Sequence, residues 1–120
     1  MLTTPRIYGF KSCDLVRAAL KWMDAEHTAY SFIDYRKDSL DRAVVQDWFA
    51  RAGWEAVFNR NATTFKALPE AERNALNEAR ALTMILEQTN YIKRPVLDTG
   101  SALLFGFNEV KWRDALAAGK

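Results

Sequence analysis

The chain has 120 residues, 49% of them hydrophobic and 27% charged, with a formal net charge of +2. These figures describe one ordinary globular domain with a single core. The 17 lysines and arginines are scattered rather than blocked, which argues against a nucleic-acid surface. One cysteine and one histidine exclude an internal disulfide and an ordinary zinc site, so no metal is expected. No apolar run approaches the ~18–20 residues of a membrane span, and Met1-Leu2-Thr3-Thr4-Pro5-Arg6 has no apolar signal core, so a reducing cytoplasm is the expected setting.

In chain order, Arg6-Ile7-Tyr8-Gly9-Phe10 reads as a short strand. A helix is predicted over about 14–26, with Val16, Ala19, Leu20 and Met23 on one face. Aromatic and β-branched residues over 30–35 predict a second strand. Asp38 or Ser39 is the expected cap of a helix whose face is Val44, Val45, Trp48, Phe49 and Ala52 and which Gly53 ends. No strand pattern runs over 54–90; Pro69 fits the first turn of a helix, and 79–86 continues helically. Residues 95–98 and 102–105, joined by Thr99-Gly100-Ser101, predict a hairpin. Asn108 is placed to cap the last helix, with Phe107 and Trp112 at the two positions of a hydrophobic staple. The order β-α-β, a helical stretch, then β-β-α predicts an α/β thioredoxin-like (glutaredoxin-like) mixed sheet. Its first two strands should be parallel through a right-handed crossover and its last two antiparallel. A single domain over 1–120 is expected, with a helical insertion over about 38–90.

The chemistry centres on Cys13. A strand that turns directly into a helix leaves the first helical N–H groups unpaired, and with the peptide dipoles they favour an anion. A thiolate is such an anion, so the pKa of Cys13 should fall below the ~8.5 of a free cysteine. His27 cannot be its base: fourteen residues of helix at ~1.5 Å each place the two ~21 Å apart. His27 is expected at the surface by the helix C-terminus. Arg17, one turn on, is expected to overhang the thiol, and Lys11, two residues before, is the other local cation, with Asp14 competing for the same helix end. Arg60 and Arg94 lie on loops, where the planar guanidinium suits oxyanions and carboxylates. No second thiol occupies a Cys-x-x-Cys spacing, because Leu15 and Val16 follow. Clearing an oxidised or adducted Cys13 then needs an external thiol, of which glutathione is the abundant cytosolic one.

Tyr8-Gly9-Phe10-Lys11-Ser12-Cys13-Asp14, the loop around Arg60, and Ile92-Lys93-Arg94-Pro95 together resemble the ArsC family of glutaredoxin-linked arsenate reductases, Spx-type regulators and the YffB-like branch. Gly53-Trp54-Glu55-Ala56, Asn59-Arg60 and Leu104-Phe105-Gly106-Phe107 look most like the YffB-like branch. The resemblance covers roughly the whole chain and implies a thioredoxin-like fold with a helical insertion. It implies Cys13 as nucleophile and Arg17 as the arginine one turn after it. It further implies Arg60 and Arg94 as anion-holding arginines and Pro95 as the cis proline, with Lys11 and Ser12 counted in the substrate- or glutathione-binding set. Two positions depart from the reductases. Phe107 stands where a third oxyanion arginine is expected, and Gly-x-Lys-Ser-Cys-Asp replaces Asn-Pro-x-Cys-Gly, so arsenate reduction is expected to be weak. The function implied is a cytoplasmic, glutathione-dependent thiol reductase using a single cysteine. Its expected partners are glutathione and glutaredoxin, with an oxidised thiol or an oxyanion as substrate. No permanent cofactor, nucleic acid or membrane is expected, and a monomer is. The alternative is a Spx-like regulator that binds RNA polymerase without turnover; such switches usually sense through Cys-x-x-Cys, which is missing here.

Overall fold

The computed structural model describes residues 4–38 and 40–118. They fall into two compact units, 4–38 with 94–118 and 40–93. The first unit carries β1 (Arg6–Gly9), α1 (Asp14–Ala25), β2 (Ser31–Asp34), β3 (Val96–Asp98), β4 (Leu103–Phe105) and α7 (Glu109–Ala118). The second is helical, with α2 (Arg42–Ala52), α3 (Trp54–Val57), α4 (Thr63–Lys66), α5 (Glu70–Asn74) and α6 (Glu78–Glu87) followed by a 3-10 turn at Thr89–Tyr91.

The four strands lie in the order β2-β1-β3-β4. β1 and β2 are parallel, with Arg6 opposite Ser31 and Gly9 opposite Asp34. β3 is antiparallel to both β1 and β4. This is the thioredoxin-like mixed sheet expected from the order of elements. Ile7 and Leu97 from the two central strands meet Ala19 and Met23 of α1 and Trp112 and Ala115 of α7 in one buried cluster. Burial of side chains this size is worth ~1.5–3 kcal/mol each, which makes this cluster the main support of the first unit.

Several boundaries follow the local chemistry closely. Asn108 Oδ1 accepts from Lys111 N at 3.0 Å, and the Phe107 and Trp112 rings of the staple stand 5.0 Å apart. The hairpin turn is closed by Thr99 N donating to Ala102 O at 3.0 Å and by Gly100 N donating to the buried Asp98 carboxylate at 2.9 Å, with Gly100 at φ 92°. At the other end of α1, Thr28 N reaches Met23 O and His27 N reaches Asp24 O, both near 3 Å. That pair is the Schellman ending, whose turning residue adopts the left-handed conformation. His27 is that residue, exposed at φ 53°, so it lies beyond the helix and closes it.

Three expectations shift. The turn after β2 uses Asp34 O to accept from Lys37 and Asp38, which delays the next helix, so α2 is capped by Asp41 rather than Asp38; Ser39 lies outside the described residues. Pro69 is the residue preceding α5 rather than its first helical residue. The helical run does not continue into 79–86 but breaks at Ala75, and Asn77 starts α6 afresh by accepting from Arg80 N at 2.9 Å. Within the second unit, a single bridge pairs Phe58 with Ile92, and the Phe58 ring packs on Phe65 and Tyr91 at 5.3 Å each.

β1 and α1 approach each other so closely that a Cβ on Gly9 would stand 2.8 Å from Val16 Cγ2. Valine is stiff at χ1 and cannot swing aside cheaply. Gly9→Ala should therefore destabilise the fold by about 1–3 kcal/mol through overpacking. A chemical-denaturation midpoint equal to wild type would show that the helix can retreat without cost.

Candidate active site

Cys13 is the N-cap residue of α1, extended at φ −86° and ψ 124°, with Arg17 N bonded to its carbonyl oxygen at 3.0 Å. The tight turn from β1 is closed by Cys13 N donating to Phe10 O at 3.2 Å. The thiol is half-buried. Burial pushes its pKa up, but the backbone N–H of Val16, the Arg94 guanidinium and the backbone N–H of Leu15 outweigh that, and the thiol ends below its ordinary value. Arg94 Nε donates to Cys13 Sγ at 3.3 Å. The thiolate form is thus favoured by the helix start and one arginine, the kind of environment that makes a cysteine more nucleophilic.

Arg94 comes from the segment just before β3, where the bond to Pro95 is cis and Pro95 O accepts from Gly106 N at 2.9 Å. β3 pairs with β1, so the loop entering β3 lies beside the loop leaving β1. Antiparallel pairing is therefore what brings residues 81 apart in sequence onto one sulfur.

The expected local cations are placed differently. Arg17 donates through Nη1 to Lys11 O at 2.8 Å and through Nη2 to the Asp14 carboxylate. Its guanidinium is absorbed by the competing acid three residues earlier, and it does not overhang the thiol. Lys11 is exposed, and neither it nor Arg17 is among the groups that lower the Cys13 pKa. Ser12 accepts from Arg36 Nη1 at 3.2 Å. Arg60 belongs to the second unit, where it is exposed, 3.6 Å from the Glu55 carboxylate and 5.6 Å from the centre of the Trp54 ring. Phe107 is half-buried, its ring packing on Trp22 and Trp112.

Three residues that the sequence did not suggest complete the site. Phe10 lies under two guanidiniums, Arg36 Cζ at 3.5 Å and Arg94 Cζ at 4.6 Å from its centroid, a pair of cation–π contacts. Tyr35 packs edge-on against Phe10 at 5.9 Å. It is 4% exposed, and among the described residues its hydroxyl has no hydrogen-bond partner. Burial pushes the Tyr35 pKa far up, with the Arg94 charge opposing, so the phenol stays protonated. The signal was in the parallel pairing. Tyr35 N donates to Gly9 O at 3.2 Å, so the residues leaving β2 must flank those leaving β1.

Two outcomes follow from this geometry. Arg94→Gln should move the pH profile of Cys13 alkylation upward, because a donor and a positive charge leave the thiolate, whereas Lys11→Gln should leave it in place. Equal profiles for Arg94→Gln and wild type would remove Arg94 as an activator. Tyr35→Phe keeps the ring contact and deletes a buried unsatisfied hydroxyl, so it should stabilise the protein by about 1 kcal/mol, a rise of roughly 4 °C in Tm. A lower Tm would mean the hydroxyl has a partner.

Comparison with known proteins identifies the family. The model of the ArsC family matches residues 8–115. An uncharacterised protein of Haemophilus influenzae is 35% identical over 111 residues, covering 92% of this chain and 97% of its own. The solved structure of the YFFB protein is 42% identical with a TM-score of 0.82, over 97% of this chain and 98% of the other. An arsenate reductase (ArsC) related protein from Brucella melitensis is 33% identical with a TM-score of 0.80, over 95% of both chains. A helix-capping cysteine beside a cis-proline arginine, on a thioredoxin-like sheet and within a family match over nearly its whole length, makes this chain a member of the ArsC family, similar to its YffB-like branch.

Proposed function

We propose that this protein is a glutathione-dependent thiol reductase in which Cys13 is the single nucleophile. The observation that carries the reading is the 3.3 Å contact from Arg94 Nε to the sulfur of a cysteine that also caps a helix. The thiolate attacks the sulfur of an oxidised substrate; a Cys13–S–S–R bond forms as the substrate's S–S bond breaks and R′S⁻ leaves. Glutathione thiolate then attacks the mixed disulfide, releasing Cys13 as thiolate and carrying R away as a disulfide. Each step exchanges one S–S bond for another, so no other oxidant is needed. Membership of the ArsC family supports an oxidoreductase of arsenate reductase type.

The sequence holds one cysteine, so the resolving thiol must come from outside the chain. Glutathione, with glutaredoxin as a further partner, fits a cytosolic setting; among the described residues no helix is long and apolar enough to cross a membrane. Arg94 holds the thiolate ready for attack. Arsenate is a poorer substrate in this reading. The place of the third arginine is taken by Phe107, whose ring is engaged by Trp22 and Trp112, and each charge-assisted bond lost costs ~1.5–3 kcal/mol.

Intact mass after treatment with glutathione disulfide should show one glutathionyl group, absent in Cys13→Ser. Arg94→Lys keeps the charge but loses the fork, and should slow adduct formation by roughly tenfold. An unmodified wild-type mass under conditions that modify free cysteine would overturn the reading.

A further inference from the structure

Arg36 is an exposed arginine tied to Ser12, the residue before Cys13, and among the described residues no acid pairs with its side chain. Its guanidinium sits 3.5 Å over Phe10, and Nη1 is tied to Ser12 Oγ at 3.2 Å. Its backbone N–H is fixed by the Asp34 carboxylate at 3.0 Å. No carboxylate lies within ion-pair distance of its side chain among the described residues, whereas Arg17, Arg51, Arg60 and Arg113 each pair with an acid. A long cation held at both ends and left unpaired has its conformational cost already met before any anion arrives. It also shares the Phe10 ring with Arg94, which reaches the sulfur, so the ring links the Arg36 guanidinium to the thiol's own arginine. Ser12 strengthens the case: its hydroxyl accepts from Arg36 and keeps its own hydrogen for a second acceptor. It is also the residue next to Cys13 in the chain.

We propose that Arg36 and Ser12 form a carboxylate subsite that selects thiol ligands bearing a carboxylate close to their reactive atom. The proposal deepens the thiol reductase reading and relies on it for the ligand's identity. The fork of Arg36 takes the carboxylate while Arg94 stays with the sulfur, so the two arginines divide recognition from activation. Arg36 acts here as a specificity-determining residue, and its removal should change which ligands react rather than how reactive the thiol is.

Alkylation of the full-length protein separates these effects. Iodoacetate carries a carboxylate and iodoacetamide is its neutral counterpart; each forms a Cys13–S–CH₂ bond and releases iodide, with no redox step. The expected result is that Arg36→Gln lowers the iodoacetate-to-iodoacetamide rate ratio about fivefold or more. Arg36→Lys, which keeps the charge but not the fork, should fall most of the way with it, and Lys37→Gln should keep the wild-type ratio. A ratio unaltered in Arg36→Gln, or fully kept in Arg36→Lys, would overturn the subsite, the second by showing that a diffuse field suffices. An equal fall in both rates would also overturn it, by showing a structural effect on the thiol. Alkylation requires only a thiolate, so a failure to form the glutathione adduct would strike the reductase reading and leave this measurement standing.

Discussion

The close approach of β1 and α1 governs the site. Where Gly9 faces Val16 there is no room for a side chain, and the strand is pressed onto the helix one turn before the chain reverses. That contact fixes the start of α1 under the end of β1, and Cys13 becomes the residue where extended backbone gives way to helix. Helix N–H groups then face the sulfur without any side chain having to be recruited. The same packing lines up the ends of three neighbouring strands, so the loops of β1, β2 and β3 deliver Phe10, Arg36 and Arg94 to one place.

Asp14 would oppose this design if left alone, since a carboxylate at the first helical position repels a neighbouring thiolate. Arg17 answers it. By engaging the Asp14 carboxylate and the Lys11 carbonyl, it compensates the acid and pins the strand-to-helix turn. The arginine that sequence position suggested as an activator thus acts one step removed from the sulfur, and activation passes to Arg94 from the loop that enters β3.

What the sequence could show divides along the same line. Local chemistry was legible: the cap at Asn108, the staple of Phe107 with Trp112, the hairpin turn and the placement of Cys13 at a helix start all depend on residues within a turn of one another. The resemblance supplied Arg94 and the cis bond at Pro95, which spacing alone leaves silent because the partner sulfur is 81 residues away. Arg17 was misplaced because two partners at helical distance, Cys13 and Asp14, compete for it, and a carboxylate binds a guanidinium more strongly than a thiol does. Arg36 and Tyr35 were missed because their proximity to Cys13 exists only once β1 and β2 are paired in register.

The order β2-β1-β3-β4 leaves β2 and β4 as the outer strands of the sheet. They span four and three residues, and β2 carries a serine at one end and an aspartate at the other. An exposed strand invites a second chain to add to it, and short length with a terminal charge is how natural sheets blunt that invitation. The central strands, by contrast, bear the apolar residues that a growing aggregate would need, and both are already flanked. In the reading proposed above Cys13 must meet other molecules, and the sheet beside it offers them little backbone on which to polymerise.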